Sequence, residues 1–227
     1  MKEINPRDQE YKEIRNAVRD LCESFSSEYW HKVESKSGYP DEFVKALTDA
    51  GWLSALIPEE YGGGGASLIE ASVILEEINR SGANSGACHA QMYIMGALLR
   101  HGSQEQKKKY LPNIASGKLR LQSFAVTEPN AGTDTTKTKT FAEKKGDRYI
   151  VNGQKVFISR VPHSDLMLLL ARTCAGYLVH PSDFLGFFAE ISIGVSSFPL
   201  CWLPSSSTYY EGKQFSEWTE VDIRLDF

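Results

Sequence analysis

The sequence predicts an α+β protein of more than one domain: an all-α helical domain, then a partial antiparallel β-barrel domain, then an irregular C-terminal tail. Three observations predict it. Apolar residues recur at helical spacing until about residue 117. Beyond Gly117 the period shortens, and β-branched and aromatic residues take over. From Cys174 the composition changes again: the tail holds 2 basic and 7 acidic residues and 11 of the 25 aromatic ones, with no clear period. The boundaries read this way are residues 1–120, 121–173 and 174–227.

The helices have local start and stop signals. Asn5 is an N-cap candidate with Pro6 in the first helical position, and Ile14, Val18, Leu21, Cys22 and Phe25 follow at helical spacing. Pro40 opens "PDEFVKALTDAG", which Gly51 closes. Ser67 and Glu70 of "SLIE" make a capping box, with Ile69, Val73, Ile74, Leu75 and Ile78 behind it. A further helix is predicted from about Ser85 to His101. "SQEQ" (Ser103, Gln106) caps another, which ends near Gly117. "RLQSFAVT" and "SDLMLLLART" then read as strands, the second apolar enough to be buried. "DRYIVNGQKVFIS" reads as a hairpin turning at Asn152-Gly153, a dipeptide suited to a type I′ turn.

Composition excludes several classes. A net charge of −4 argues against a nucleic-acid surface. Four dispersed cysteines without a CxxC pair read as thiols in a reducing compartment, and five histidines show no ligand spacing. No run approaches the ~20 apolar residues of a membrane span. The charged start lacks an apolar h-region and is acidic for a mitochondrial presequence, and "RLDF" is not a peroxisomal tripeptide, so the expected location is cytoplasmic. "GGGG" (Gly62 to Gly65) precedes a helix but has neither a following GKS/GKT nor GxGxxG spacing; it reads as a flexible loop. "QKKKY" (Gln106 to Tyr110) reads as a solvated helix face or a partner for a phosphate.

The most informative stretch is "FAVTEPNAGTDTT", Phe124 to Thr136. A strand that ends in a hydroxyl and turns through small residues exposes backbone N–H groups and hydroxyls on one side. That suits a polar, planar or anionic ligand, although a decorated β-turn would use the same residue types.

"AVTEPNAGTD" (Ala125 to Asp134) resembles the first signature of the acyl-CoA dehydrogenase flavoproteins, with Lys137 departing from the small residue usual at the end of the pattern. "VNGQKVFISR" (Val151 to Arg160) is similar to that family's second flavin-contacting segment. "LIPEEYGG" (Leu56 to Gly63) and "HGSQEQKKKYLPNIASG" (His101 to Gly117) match more weakly, so the resemblance runs over roughly residues 5 to 173 in the family's order.

The resemblance implies FAD-dependent α,β-dehydrogenation of an acyl-CoA. It implies that Phe124, Val126 and Thr127 lie beside the isoalloxazine, that Phe157 covers one face of it, and that Ser159 reaches N5. Thr133 would stand between the FAD phosphates and the thioester arm, and His89 and Gln91 would make part of the acyl-pocket floor polar. Glu128 is structural on this reading. Electron-transfer flavoprotein is the implied electron acceptor, and a homo-oligomer the implied assembly. The family's catalytic glutamate comes from a C-terminal helical domain. The resemblance ends here after "LLLART", so the expectation is a truncated protein without that base. Two other readings stay open: a non-catalytic fragment that associates with a full-length relative, and a flavin monooxygenase on the same scaffold.

Overall fold

The computed structural model describes residues 10–36, 38–146, 148–173, 184–190 and 220–223. They fall into two compact units that divide between Leu119 and Arg120.

The first unit is helical: α1 (Lys12–Glu23), α2 (Ser27–Ser35), α3 (Asp41–Asp49), α4 (Leu68–Arg80), α5 (Gly86–His101) and α6 (Gln104–Ala115). Both capping boxes form, Ser67 with Glu70 and Ser103 with Gln106, satisfying N–H groups that a helix start leaves open. The start signal read at Asn5 and Pro6 lies outside the described residues. α2 was not predicted; "SEYWHKVES" has no buried residue to give a periodic stripe, and its start is fixed by Ser26, whose hydroxyl accepts from Tyr29 N–H at 3.3 Å. Val18, Cys22, Phe43, Leu47, Ile74, Ile78 and Cys88 form the core of this unit. α5 buries residues on most of its circumference. α1 and α4 are tied by a buried ion pair, Arg15 Nη1 to Glu77 Oε1 at 2.7 Å, with Arg19 on the other Glu77 oxygen at 2.9 Å.

The glycine run is ordered rather than flexible. Gly62 N–H donates to Glu59 O, Gly63 to Pro58 O, Gly64 to Ser54 O, Gly65 to Ile57 O and Ala66 to Ala55 O. Every amide from 62 to 66 is thus committed to the chain that precedes it, and none is left to cradle a phosphate. Glycine is required by proximity: a Cβ on Gly63 would lie 2.2 Å from Ile57 O.

The second unit holds β1 (Leu121–Ala125), β2 (Phe141–Lys145), β3 (Arg148–Asn152), β4 (Leu166–Arg172), β5 (Phe184–Glu190) and β6 (Glu220–Ile223). The sheet is mixed, not an antiparallel barrel. β1 runs parallel to β4 (Phe124 opposite Leu168, Ala125 opposite Leu169), and β2 meets β4 in parallel at Phe141–Arg172. β2–β3, β3–β6 and β4–β5 are antiparallel. Strand periodicity is the same in both ladder types, which is why sequence did not separate them.

The hairpin also differs from the prediction. Its turn follows Lys145 at Gly146 (φ 68°), and Asn152 ends β3 instead of starting a turn. Gly153 serves close approach: a Cβ there would lie 2.3 Å from Thr140 Oγ1. The region read as an irregular tail contributes β5 and β6; its "FPLCWLPSSSTYY" segment lies outside the described residues.

Gly63→Ala is expected to cost about 3 kcal/mol, at the upper end for overpacking because the obstacle is backbone. Gly82→Ala, where φ is 81° but nothing lies within 4 Å of the Cβ position, is expected to cost only about 1 kcal/mol. Urea unfolding of the two variants measures the difference.

Candidate functional site

β1 positions the first set of site residues. Ser123 and Ala125 are buried, and Phe124 between them is the strand's exposed residue. Val126 and Thr127 follow, half-buried, after which the chain turns through Pro129-Asn130: Glu128 and Ala131 exchange backbone bonds at 2.8 and 3.2 Å. Thr133 is exposed just beyond. Lys137, which departs from the signature, is exposed and pairs with Asp134 at 3.2 Å.

The second set comes from the loop after β3. Ile158 and Val161 are buried in the core of the sheet unit with Ala125, Val151 and Leu169. Phe157 lies before this anchor at φ 59° and is 64 % exposed. A left-handed backbone is uncommon for a bulky residue and is stored where surrounding contacts hold it. Arg160, at φ 61°, is the second such residue in the loop.

A buried ion pair locks the two sets together. Lys155 Nζ lies 3.0 Å from Glu128 Oε1, with side chains 2 % and 4 % exposed. The same ammonium donates to Val126 O at 2.8 Å. Glu128 also accepts from Lys139 N–H at 2.7 Å, from Thr140 N–H at 2.9 Å and from the Thr140 hydroxyl. Burial pushes the Glu128 carboxyl up, but these donors, the Thr140 hydroxyl foremost, outweigh it and hold the group below the ordinary carboxylate range. Burial draws the Lys155 ammonium down, with Glu128 opposing. One residue on, Val156 N–H donates to Thr127 O at 2.9 Å. At the far end, the buried Ser123 hydroxyl lies 3.1 Å from Ser159 O and 2.9 Å from the Ser164 hydroxyl, which donates to Arg160 O at 2.8 Å.

The carbonyls of residues 126, 127 and 159 therefore all point into cross-links between the two segments, while Arg160 O accepts from Ser164 within the second. Among the described residues, the N–H groups of Val126 and Thr127 and the Thr127 hydroxyl meet no partner. What remains is a donor set on the first segment, which also carries the exposed Phe124, cross-linked to the segment that carries the exposed Phe157.

Residues 8–118 match the family model for the acyl-CoA dehydrogenase N-terminal domain, and residues 123–187 match that for the middle domain. The chain belongs to the acyl-CoA dehydrogenase family. The middle-domain match runs past Thr173, where the resemblance read from the motifs had ended, and takes in part of β5. The chain is 34 % identical over 175 residues to bovine (Bos taurus) mitochondrial isovaleryl-CoA dehydrogenase, covering 75 % of this chain and 41 % of that protein. Among solved structures it is similar to an acyl-CoA dehydrogenase from Geobacillus kaustophilus, with 29 % identity and a TM-score of 0.71 over 83 % of this chain and 49 % of the other. It is likewise similar to a glutaryl-coenzyme A dehydrogenase in complex with glutaryl-CoA, with 28 % identity and a TM-score of 0.69 over 80 % and 47 %. The chain thus spans less than half the length of the family members it matches here.

The two α5 residues read as substrate contacts do not share a face. Gln91 is buried and donates to Leu53 O at 3.1 Å, so it packs the helical unit. His89 is exposed, its ring 5.1 Å from that of Tyr93. Sequence reasoning missed Lys155, Ser123 and Ser164; the only signal for the first was a lysine inside an otherwise apolar segment. Among the described residues no group of His, Cys, Asp and Glu could hold a metal, and no helix is long and apolar enough to cross a membrane.

Glu128→Gln strands the buried Lys155 ammonium and is expected to cost about 3–5 kcal/mol, whereas Glu128→Gln with Lys155→Met should recover much of that loss, as removal of a whole buried pair does. A carboxylate with a depressed folded pKa stabilises the protein above its unfolded value, near 4.3, and that contribution is lost as pH falls through the folded value. The melting temperature should therefore fall more steeply below about pH 4.3 in the wild type than in the double variant. Thermal unfolding from pH 7 to pH 3 measures both effects.

Proposed function

We propose that the surface formed by residues 124–127 and 157–159 binds the isoalloxazine of FAD and serves the α,β-dehydrogenation of an acyl-CoA thioester. One observation carries this reading: the cross-links engage three carbonyls and leave Val126 N–H, Thr127 N–H and the Thr127 hydroxyl as donors, on cross-linked segments that also carry the exposed rings of Phe124 and Phe157. That donor set fits the acceptor-rich pyrimidine edge of a flavin. FAD, when bound, supplies the hydride acceptor. Phe157, held outward by its backbone and by buried Ile158, would cover one face of the ring. Phe124 would lie beside it, and Ser159 would donate its hydroxyl to the ring's edge.

Thr133, exposed on the loop after the turn, is proposed to contact the polar arm of the cofactor or substrate. His89 is the α5 residue proposed to face the acyl group, since Gln91 is spent on Leu53 O. Electron-transfer flavoprotein is proposed as the oxidant of the reduced cofactor.

The purified chain should retain a yellow flavin spectrum after incubation with FAD and gel filtration. Thr127→Ala is expected to weaken FAD about tenfold, the order of one or two hydrogen bonds, and to leave stability within about 0.5 kcal/mol. Phe157→Ala should weaken FAD with no loss of stability, because its side chain is exposed. Flavin fluorescence quenching and thermal unfolding of the same samples measure these effects. A colourless wild type at saturating FAD would overturn the reading.

A further inference from the structure

We infer that Lys155 is a positioning residue for the cofactor, resting on the flavin reading above: its ammonium holds the Val126 carbonyl inward and so aims the Thr127 N–H group, at the other end of the same peptide, toward the ligand. Lys155 itself presents nothing to that surface. It is buried, with Nζ between Val126 O at 2.8 Å and Glu128 Oε1 at 3.0 Å. β1 ends at Ala125, so no ladder bond fixes the peptide after Val126. Among the described residues, the bond that sets its orientation is that of the ammonium to Val126 O, and the Val156 N–H on Thr127 O holds the next peptide along. Rotation of the 126–127 peptide would exchange the N–H for the carbonyl on the outer side. A donor edge would then become an acceptor edge, which repels the acceptor atoms of a flavin.

The position has a stabilising partner and an orienting partner, and two variants separate them. Glu128→Gln breaks the ion pair but keeps a nitrogen donor on Val126 O. Glu128→Gln with Lys155→Met removes the stranded charge and the donor together. Stability should rank the double variant above the single one. FAD affinity should rank them in the opposite order, with the double variant at least about tenfold weaker, the order of one charge-assisted hydrogen bond. A residue that acted only through fold stability would give the same order in both measurements.

The experiment uses the full chain, with FAD as the probe. Thermal unfolding, FAD titration and hydrogen exchange across residues 121–130 and 154–158 are recorded for the wild type and both variants. Opposite orders of stability and affinity, with faster exchange at Glu128 and Val156, whose N–H groups donate to Ala131 O and Thr127 O, only in the double variant, support the inference. Affinity that follows stability overturns it. A wild type that takes up no FAD overturns the flavin reading instead. The exchange data then decide the positioning claim alone, and equal exchange in the two variants overturns that claim too.

Discussion

The Glu128–Lys155 pair is the constraint on which the sheet unit's proposed ligand surface depends. Two charges taken out of water gain little by themselves, since desolvation offsets most of their attraction. What makes this pair worth keeping is its extra bonding. Glu128 gathers the Lys139 and Thr140 amides and the Thr140 hydroxyl, and Lys155 reaches the Val126 carbonyl. A single buried point thus joins the end of β1, the approach to β2 and the loop after β3. An apolar pair could fill the same volume, but it could not orient a peptide. Gly153, in contact with Thr140, belongs to the same junction, because any side chain there would push the loop away from it.

The helical unit solves a similar problem with a different purpose. Arg15 and Glu77 are as deeply buried, and Arg19 and Glu76 complete their bonding. Those contacts join two helices, α1 and α4, and Arg15 Nε also donates to Glu10 O, ahead of α1, at 3.1 Å. The contrast supports a division of roles. In one unit the ion pair joins two helices and holds a carbonyl at a helix start; in the other it holds a carbonyl within the proposed ligand surface. The glycine run of residues 62–65 falls on the packing side, with its amides turned into the chain and none toward a ligand.

Much of this was legible in the sequence, and the failures have physical causes. Both capping boxes were readable because they are closed within four residues. The motif from Ala125 to Asp134 was readable because turn chemistry and ligand chemistry select the same small and hydroxylated residues. The parallel pairing of β1 with β4 was not, because it depends on how some forty intervening residues fold, not on the pattern of either strand. Asn152-Gly153 misled because a type I′ turn and a close backbone approach both select glycine. Lys155 escaped notice because a lysine is almost never fully buried without a partner, and its partner lies 27 positions away. Gln91 was placed on the right helix, but its partner, a carbonyl in the segment Trp52–Ser54, could only come from the structure.

The same geometry decides which role Glu128 does not have. A base that takes a proton α to a thioester needs a lone pair open to the substrate and an affinity for the proton. Glu128 has neither. Oε1 accepts from Lys155, Thr140 N–H and the Thr140 hydroxyl, and Oε2 accepts from Lys139 N–H. These donors favour the carboxylate over the acid and lower its proton affinity. Each bond that makes Glu128 good at holding the junction makes it worse at accepting a proton. The junction's acidic residue is therefore spent on holding the backbone, and the proposed reaction needs a base other than Glu128.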